Sequence, residues 1–401
     1  MKPADLIAEA ERCVACGLCL PYCPTYRLTQ SEADSPRGRI HLASAVAQGK
    51  LPASPRFIEH IDRCLSCRAC ERACPNGVRY GLLADGARDL IAQAVPRPWR
   101  HRLVQQVAGR ILGSRILTAA AGWILRLIQL TGLRQLARLV PGLQAMNALL
   151  PSVPAQQRWR ECYPATTPRG EVCLFLGCVS DMLDTDTLRA AVFVLNRLGY
   201  TVHVPPQQTC CGALSRSAGN EAQADALVAR NAAAFSRHAG LPLLSVASGC
   251  GASLHDYLER PIQDISTFLA QADGWEAAAI APMDGPILVQ DPCTLRNVLR
   301  QPQPVYELLR RIPAAQVLPL AGNGQCCGGA GAYMLTQPVL ARQLRDYKIT
   351  ACREAGGTLL ATSNIGCALH IAAGLREAGM AVEVAHPVLI LARQMGYSGN
   401  I

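Results

Sequence analysis

The 401-residue sequence contains neither G-x-G-x-x-G nor G-x-x-x-x-G-K-[ST], so it gives no case for a nucleotide site. It also lacks an evident Ser/His/Asp grouping. Residues 1–11 hold Lys2, Asp5 and Glu9 and no apolar h-region, which argues against export. Aromatic residues make up only 5% of the chain, and none are interleaved with polar base readers among the basic residues. Nucleic acid is therefore not an expected partner. Charge of one sign is missing from a whole segment. Residues 97–160 hold ten arginines, no lysine and no acid. With 39 Lys and Arg against 29 Asp and Glu overall, those ten arginines carry the entire excess. The uncharged run Ile116–Leu125 stops well short of the roughly 20 residues that span a bilayer.

Cysteine is abundant, with nineteen in a chain that shows no export signal, and this favours metal ligation over disulfides. Eight of them form two matched runs: Cys13, Cys16, Cys19 and Cys23 before Pro24, and Cys64, Cys67, Cys70 and Cys74 before Pro75. Each reads C-x2-C-x2-C-x3-C-P. In this pattern three cysteines wrap one [4Fe-4S] cluster and the fourth ligates the other. The expected sets are Cys13, Cys16, Cys19 and Cys74 for cluster 1, and Cys64, Cys67, Cys70 and Cys23 for cluster 2. Gly17 lets the first loop approach its cluster without a Cβ in the way. Zinc sites use pairs of cysteines rather than triplets with a fourth. Between the runs, a helix is expected around 40–48. The segment Ser35-Pro36-Arg37-Gly38-Arg39 reads either as a partner-docking element or as a solvated loop.

The Arg-rich segment mixes Leu, Ile and Val with arginine and Trp123, and Trp99 and Trp159 lie near its ends. This composition fits a helix lying in a membrane interface. It fits equally a connector whose apolar face meets the rest of the protein or a sister subunit.

From residue 171 onward short apolar runs alternate with amphipathic stretches. Strands are expected at 172–176, 201–204, 243–247, 287–290, 316–320, 358–362 and 381–384, and helices at 186–198, 221–237, 339–354 and 368–378. Such alternation predicts crossover units on a mainly parallel sheet. Two cysteine sets recur on this frame. Cys178, Cys210, Cys211 and Cys250 have gaps of 31 and 38 residues around the pair; Cys293, Cys326, Cys327 and Cys367 have gaps of 32 and 39. Agreement within one residue marks a duplicated module. Each cysteine is expected in a loop after a strand, where loops of an open α/β sheet converge on a site. An iron–sulfur group or zinc is the expected occupant. Cys162, Cys173 and Cys352 lie outside these patterns and read as small apolar residues.

The two CCG segments resemble the cysteine-rich domain shared by heterodisulfide reductase, anaerobic glycerol-3-phosphate dehydrogenase and glycolate oxidase. With the twin motif in front, the whole chain resembles the iron–sulfur subunits of bacterial glycolate oxidase. The stretches ASGCGAS (247–253), DPCTLR (291–296), CCGGAGAY (326–333) and SNIGC (363–367) carry that resemblance. It departs from the widest motif at the last C-x2-C, where Ser253 and His370 stand at the second position. His370 reads as a replacement ligand or as an ordinary surface or core histidine.

The resemblance implies an electron-transfer subunit with no catalytic residue for glycolate itself. A separate flavin-containing subunit would oxidise glycolate to glyoxylate, since hydride abstraction is cofactor work. Electrons would pass toward a membrane quinone from a cytoplasmic chain lying peripherally on the inner face of the membrane. The equivalent subunit of a glycerol-3-phosphate or lactate dehydrogenase, or a disulfide reductase acting at the CCG sites, is the alternative. The expected architecture is an α+β, largely helical two-cluster ferredoxin-like module (1–95), a helical connector (96–165) and an α/β duplicated cysteine-rich domain (166–280 and 281–401).

Overall fold

The computed structural model describes residues 1–95, 99–132 and 147–399. The N-terminal module is helical, with α1 (Pro3–Glu11), α2 (Pro36–Ala47) and α3 (Tyr80–Ala94) around a core that includes Leu6, Ile40, Phe57, Ile61 and Leu83. Burying each such side chain contributes about 1.5–3 kcal/mol. Helix α2 starts where Ser35 Oγ accepts from the Gly38 amide at 3.0 Å, with Pro36 in the first turn. The segment around it is therefore a helix start and not a solvated loop. Arg37 donates to the Ala15 carbonyl at 2.9 Å, and Arg39 is 2% exposed.

Two helices follow, α4 (Trp99–Leu112) and α5 (Arg115–Leu130), and the path bends by 100° between 106–112 and 115–130. The Gly113 carbonyl at this elbow accepts from Thr209 Oγ1 at 2.7 Å and from Arg230 at 3.0 Å, which ties the hairpin to the first repeat. Ile116, Trp123, Ile124, Leu127 and Leu130 on α5 are exposed. Trp159 does not belong to that surface: its indole donates to Asp181 at 2.6 Å and packs on the α/β core. Among the described residues no single helix is long and apolar enough to cross a membrane. Of the Arg-rich segment, 97, 98 and 133–146 lie outside the described residues.

The remainder runs β1 (Cys162–Tyr163), β2 (Gly170–Phe175), α6 (Thr185–Arg197), β3 (Tyr200–His203), α7 (Glu221–Phe235), β4 (Leu243–Ser245), α8 (Ser248–Tyr257) and β5 (Ile262–Asp264). Then come β6 (Pro286–Gln290), β7 (Gln316–Pro319), α9 (Pro338–Ala355), β8 (Leu359–Thr362), α10 (Ile365–Glu377), β9 (Glu383–Ala385) and α11 (Pro387–Gln394). One sheet has the order β1-β3-β2-β4-β5 and the other β7-β6-β8-β9. Apart from antiparallel β1, both are parallel and share one strand order, as a duplication requires. All seven expected strands form; β1 and β5, only two and three residues long, were not anticipated.

Side chains alternate between the two faces of each strand. Val172 and Leu174 of β2, with Ile287 and Val289 of β6, enter a single core shared by both sheets, into which α6 and α11 also pack. Cys173 and Phe175 face the opposite way, into a cluster with Cys178, Cys210 and Cys211. Leu288 and Leu360 do the same in the second repeat, beside Cys327 and Cys367. Each repeat thus holds its cysteine set on the layer away from the common core. Cys173 and Cys352 are buried packing residues as expected, whereas Cys162 is exposed on the edge strand β1.

Candidate metal centres

The two N-terminal runs fold into matching loops. The residues flanking the second cysteine of each run take positive φ: Ala15 (54°) and Gly17 (83°) in the first, Ser66 (49°) and Arg68 (55°) in the second. Three non-glycine residues in this region signal a backbone held by its surroundings. At Gly17 a Cβ would stand 3.0 Å from the Arg37 guanidinium.

Cys13, Cys16, Cys19 and Cys74 line one cavity with about 470 Å³ of open space. Cys23, Cys64 and Cys67 line a second of about 290 Å³, and Cys70 stands on the wall common to both. The first cavity is the outer one: Cys16 is exposed, and Val14 (68% exposed) and Leu18 (57%) rim it. The second is buried and charged from behind. Asp34, fully buried, receives His60 Nδ1 at 2.9 Å, Arg63 at 3.0 Å and Arg39 at 3.4 Å. Arg39 also donates to Thr25 Oγ1 at 3.0 Å, beside Cys23. Burial by itself would push the Cys64 thiol up. Arg39, Arg88, the Tyr80 hydroxyl and the Ser66 amide outweigh it and hold Cys64 below its ordinary value.

In the α/β half, each expected set is brought together. Cys178 and Cys210 are 3.4 Å apart at sulfur, and hydrogen bonds link Cys210 to Cys211 and Cys211 to Cys250. Cys293 and Cys326 are 3.9 Å apart, Cys327 and Cys367 are 3.2 Å apart, and Cys326 bonds to Cys327. Cys250 and Cys367 sit in the first turns of α8 and α10 rather than in loops. One thiol per set is held far below its ordinary value by S–H donors: Cys210 by Cys178 and Cys211, Cys327 by Cys326 and Cys367. The glycine after each pair has a backbone reason. Gly212 (φ 85°) and Gly328 (φ 84°) are left-handed, and a Cβ would lie 3.0 Å from the Ala224 carbonyl oxygen and 2.5 Å from that of Ala341. Among the described residues no three His, Cys, Asp or Glu side chains already converge on one point as a bound single ion demands. The donors, four soft sulfurs in contact, nonetheless suit iron–sulfur groups or zinc.

Several residues around these sites had no distinctive pattern in the sequence. Asn231 on α7 accepts from the Thr209 amide at 2.8 Å and donates to the Cys210 carbonyl at 2.9 Å. Lys348 occupies the same place on α9, 1% exposed, and donates to the Gly322 carbonyl at 2.7 Å with Cys326, Cys327 and Cys367 nearby. Aligning the two repeats on their helix starts would have paired these positions. Cys67, Cys326 and Cys293 share one apolar cluster with Leu65, Tyr333 and Leu344, and Asn297 donates to the Cys67 carbonyl at 2.8 Å. The second repeat therefore abuts the inner N-terminal cavity.

Fold and thiol sites together define an iron–sulfur protein with a dicluster domain ahead of a duplicated cysteine-rich domain. Residues 9–78 match the 4Fe-4S dicluster domain family, and 172–255 and 287–372 each match the cysteine-rich CCG family. The chain is 31% identical to the probable glycolate oxidase iron–sulfur subunit of Bacillus subtilis, over 94% of this chain and 91% of that protein. It is 33% identical to the glycolate oxidase iron–sulfur subunit of Escherichia coli, over 93% and 92%. A shorter match, 30% identical over 53% of this chain and 44% of the other, joins it to one of the subunits of the fumarate reductase (CoM/CoB) of Methanothermobacter marburgensis. The chain belongs to the family of glycolate oxidase iron–sulfur subunits, and it is an oxidoreductase component that carries iron–sulfur clusters.

Proposed function

We propose that this chain relays electrons from a flavin-containing partner that oxidises glycolate toward a membrane quinone, and takes no part itself in the chemistry of glycolate. Cys13, Cys16, Cys19 and Cys74 hold one cluster, and Cys64, Cys67, Cys70 and Cys23 hold the other. When bound, the clusters supply one-electron carriers. The two CCG sets hold further metal, in repeats spanning 166–280 and 281–401.

The observation that carries this reading is the cluster shared by Cys67, Cys293 and Cys326, bridged by the Asn297–Cys67 hydrogen bond. A relay needs its carriers in series at short range, and this contact brings an N-terminal cysteine set against a CCG set. Burial then keeps water from Cys64, Cys67 and Cys70, while Arg39 and Arg88 offset thiolate charge there. The rim of Val14 and Leu18 around exposed Cys16 is the surface a redox partner would approach. The apolar face of α5, with Trp123 and Leu127 exposed among arginines, supports attachment to an anionic membrane surface.

The test uses the complex purified with its partners. Cys16→Ser and Cys67→Ser should each abolish quinone reduction and leave flavin reduction by glycolate intact. Undiminished quinone reduction in both variants overturns the relay, and glycolate turnover by this chain alone overturns the division of labour.

A further inference from the structure

The second CCG set has a candidate donor that the first does not. His370 lies on α10 three residues after Cys367, so the two share a helix face. It is 3% exposed. Its Nε2 stands 3.1 Å from the Ala341 carbonyl oxygen. A carbonyl only accepts, so Nε2 carries the ring proton. Nδ1 is then a bare lone pair, and it is buried with no hydrogen-bond partner among the described residues. Burial, the largest influence on the ring, favours this neutral form. A ligating imidazole is commonly fixed in this way, with its other N–H held by a backbone carbonyl.

His370 lies against the loop that carries Cys326 and Cys327. The Gly329 amide donates to Cys327 Sγ at 3.4 Å, and a Cβ on Gly329 would stand 3.2 Å from His370 Cβ, so the CCGG loop packs against the histidine. The corresponding residue of the first repeat, Ser253, is already engaged: its hydroxyl donates to the Cys211 carbonyl at 3.2 Å.

We infer that His370 Nδ1 is a fifth protein ligand of the metal centre held by Cys293, Cys326, Cys327 and Cys367, bound to an iron of that centre. The inference rests on the reading of this set as a metal site. Imidazole and thiolate together suit iron and zinc. A neutral imidazole completes the site without adding a negative charge to four thiolates that have one buried cation, Lys348, beside them. An imidazole on iron also raises the reduction potential relative to an all-thiolate centre. The second repeat thus offers four thiolates and an imidazole, and the first offers four thiolates alone.

The test uses the full chain, labelled with ¹⁵N-histidine, purified anaerobically and poised by redox titration. The pulsed EPR signal that disappears in Cys326→Ser belongs to the second centre. It should show a directly bound ¹⁵N coupling that vanishes in both His370→Ala and His370→Cys, and the His370→Cys centre should titrate at a lower potential. A centre lost in Cys326→Ser but lacking that nitrogen, or keeping it in His370→Ala, overturns the ligation and leaves the metal site standing. Metal content unchanged by Cys326→Ser overturns the site, and the ligand role of His370 with it.

Discussion

The two CCG repeats have one strand order and one cysteine spacing, yet their thiols stand in different surroundings. Behind the first set is neutral Asn231, bonded twice to the backbone of the Cys210 loop, and beside it Ser253. Behind the second are a buried lysine and a buried histidine. The first loop docks on the elbow of the α4–α5 hairpin through Thr209 and Gly113. The second docks on the inner N-terminal cavity through Asn297 and Tyr333. Duplication supplied the frame, and divergence put polar structural bonds behind one site and charge behind the other. On this comparison the Cys210 loop of the first repeat packs toward the hairpin and the thiol layer of the second packs toward the N-terminal module.

The largest effect should come from the charge network on the second repeat's side. Asp34 is completely buried among Arg39, Arg63 and His60. Burial pushes its carboxyl up, but the His60 hydrogen bond and the two arginines outweigh this and leave it lowered. Because the folded value lies below the unfolded one, the stabilisation is full above the unfolded carboxylate value of about 3.9 and is lost as pH falls through the folded value. Asp34→Asn strips buried Arg39 of its carboxylate partner, while Arg63 keeps Glu59, and should cost about 3–5 kcal/mol. Hydrogen exchange should speed up in 295–299 and around Tyr333 and stay slow in the Cys210 loop. Equal loosening of both repeats would break the comparison.

Next in size is the pair of CCG glycines. Gly212 and Gly328 share a left-handed φ, so alanine costs about 1–2 kcal/mol at either. Only at Gly328 would the new methyl carbon press to 2.5 Å from a backbone oxygen, against 3.0 Å at Gly212. An overpacking cost of about 1–3 kcal/mol is added there. Denaturant midpoints should therefore fall further for Gly328→Ala than for Gly212→Ala. The reverse order would mean that the second repeat yields more readily than its packing suggests.

Much of this was legible in the sequence, and what was not has physical reasons. Strands β2, β3, β4 and β6 to β9 announce themselves by short apolar runs between turn residues, and each formed within two or three residues of its expected place. The cysteine spacings named both metal-binding halves, since ligand geometry constrains spacing directly. Strands β1 and β5 were hidden because two or three residues carry no periodicity. Nothing in the sequence sets Arg39 and Lys348 apart from the solvated charges that most such residues are; only tertiary packing places them behind thiols. Trp159 shows the converse: its position beside arginines fitted a membrane interface and a packed connector equally, and the Asp181 carboxylate, accepting from its indole, draws it inward as the connector reading expects.

The smallest effect discriminates best. Asn231 and Lys348 are both the eleventh residue beyond their helix N-caps, Asn220 and Gln337. Asn231→Leu strips partners from the Thr209 amide and the Cys210 carbonyl, both buried, and should cost about 1–3 kcal/mol of stability. It alters no charge, so the potentials of the bound centres should stay where they are. Lys348→Met keeps the length and apolar stem of the side chain and removes one positive charge beside Cys326, Cys327 and Cys367. Reduction adds negative charge to a centre, and a nearby cation favours it. Without Lys348 the second centre should titrate at a lower potential while the first is unmoved. Spectroelectrochemical titration of both variants reads this directly. A potential shift in Asn231→Leu, or none in Lys348→Met, would show that the two repeats differ in sequence behind their thiols without differing in what they do to electrons.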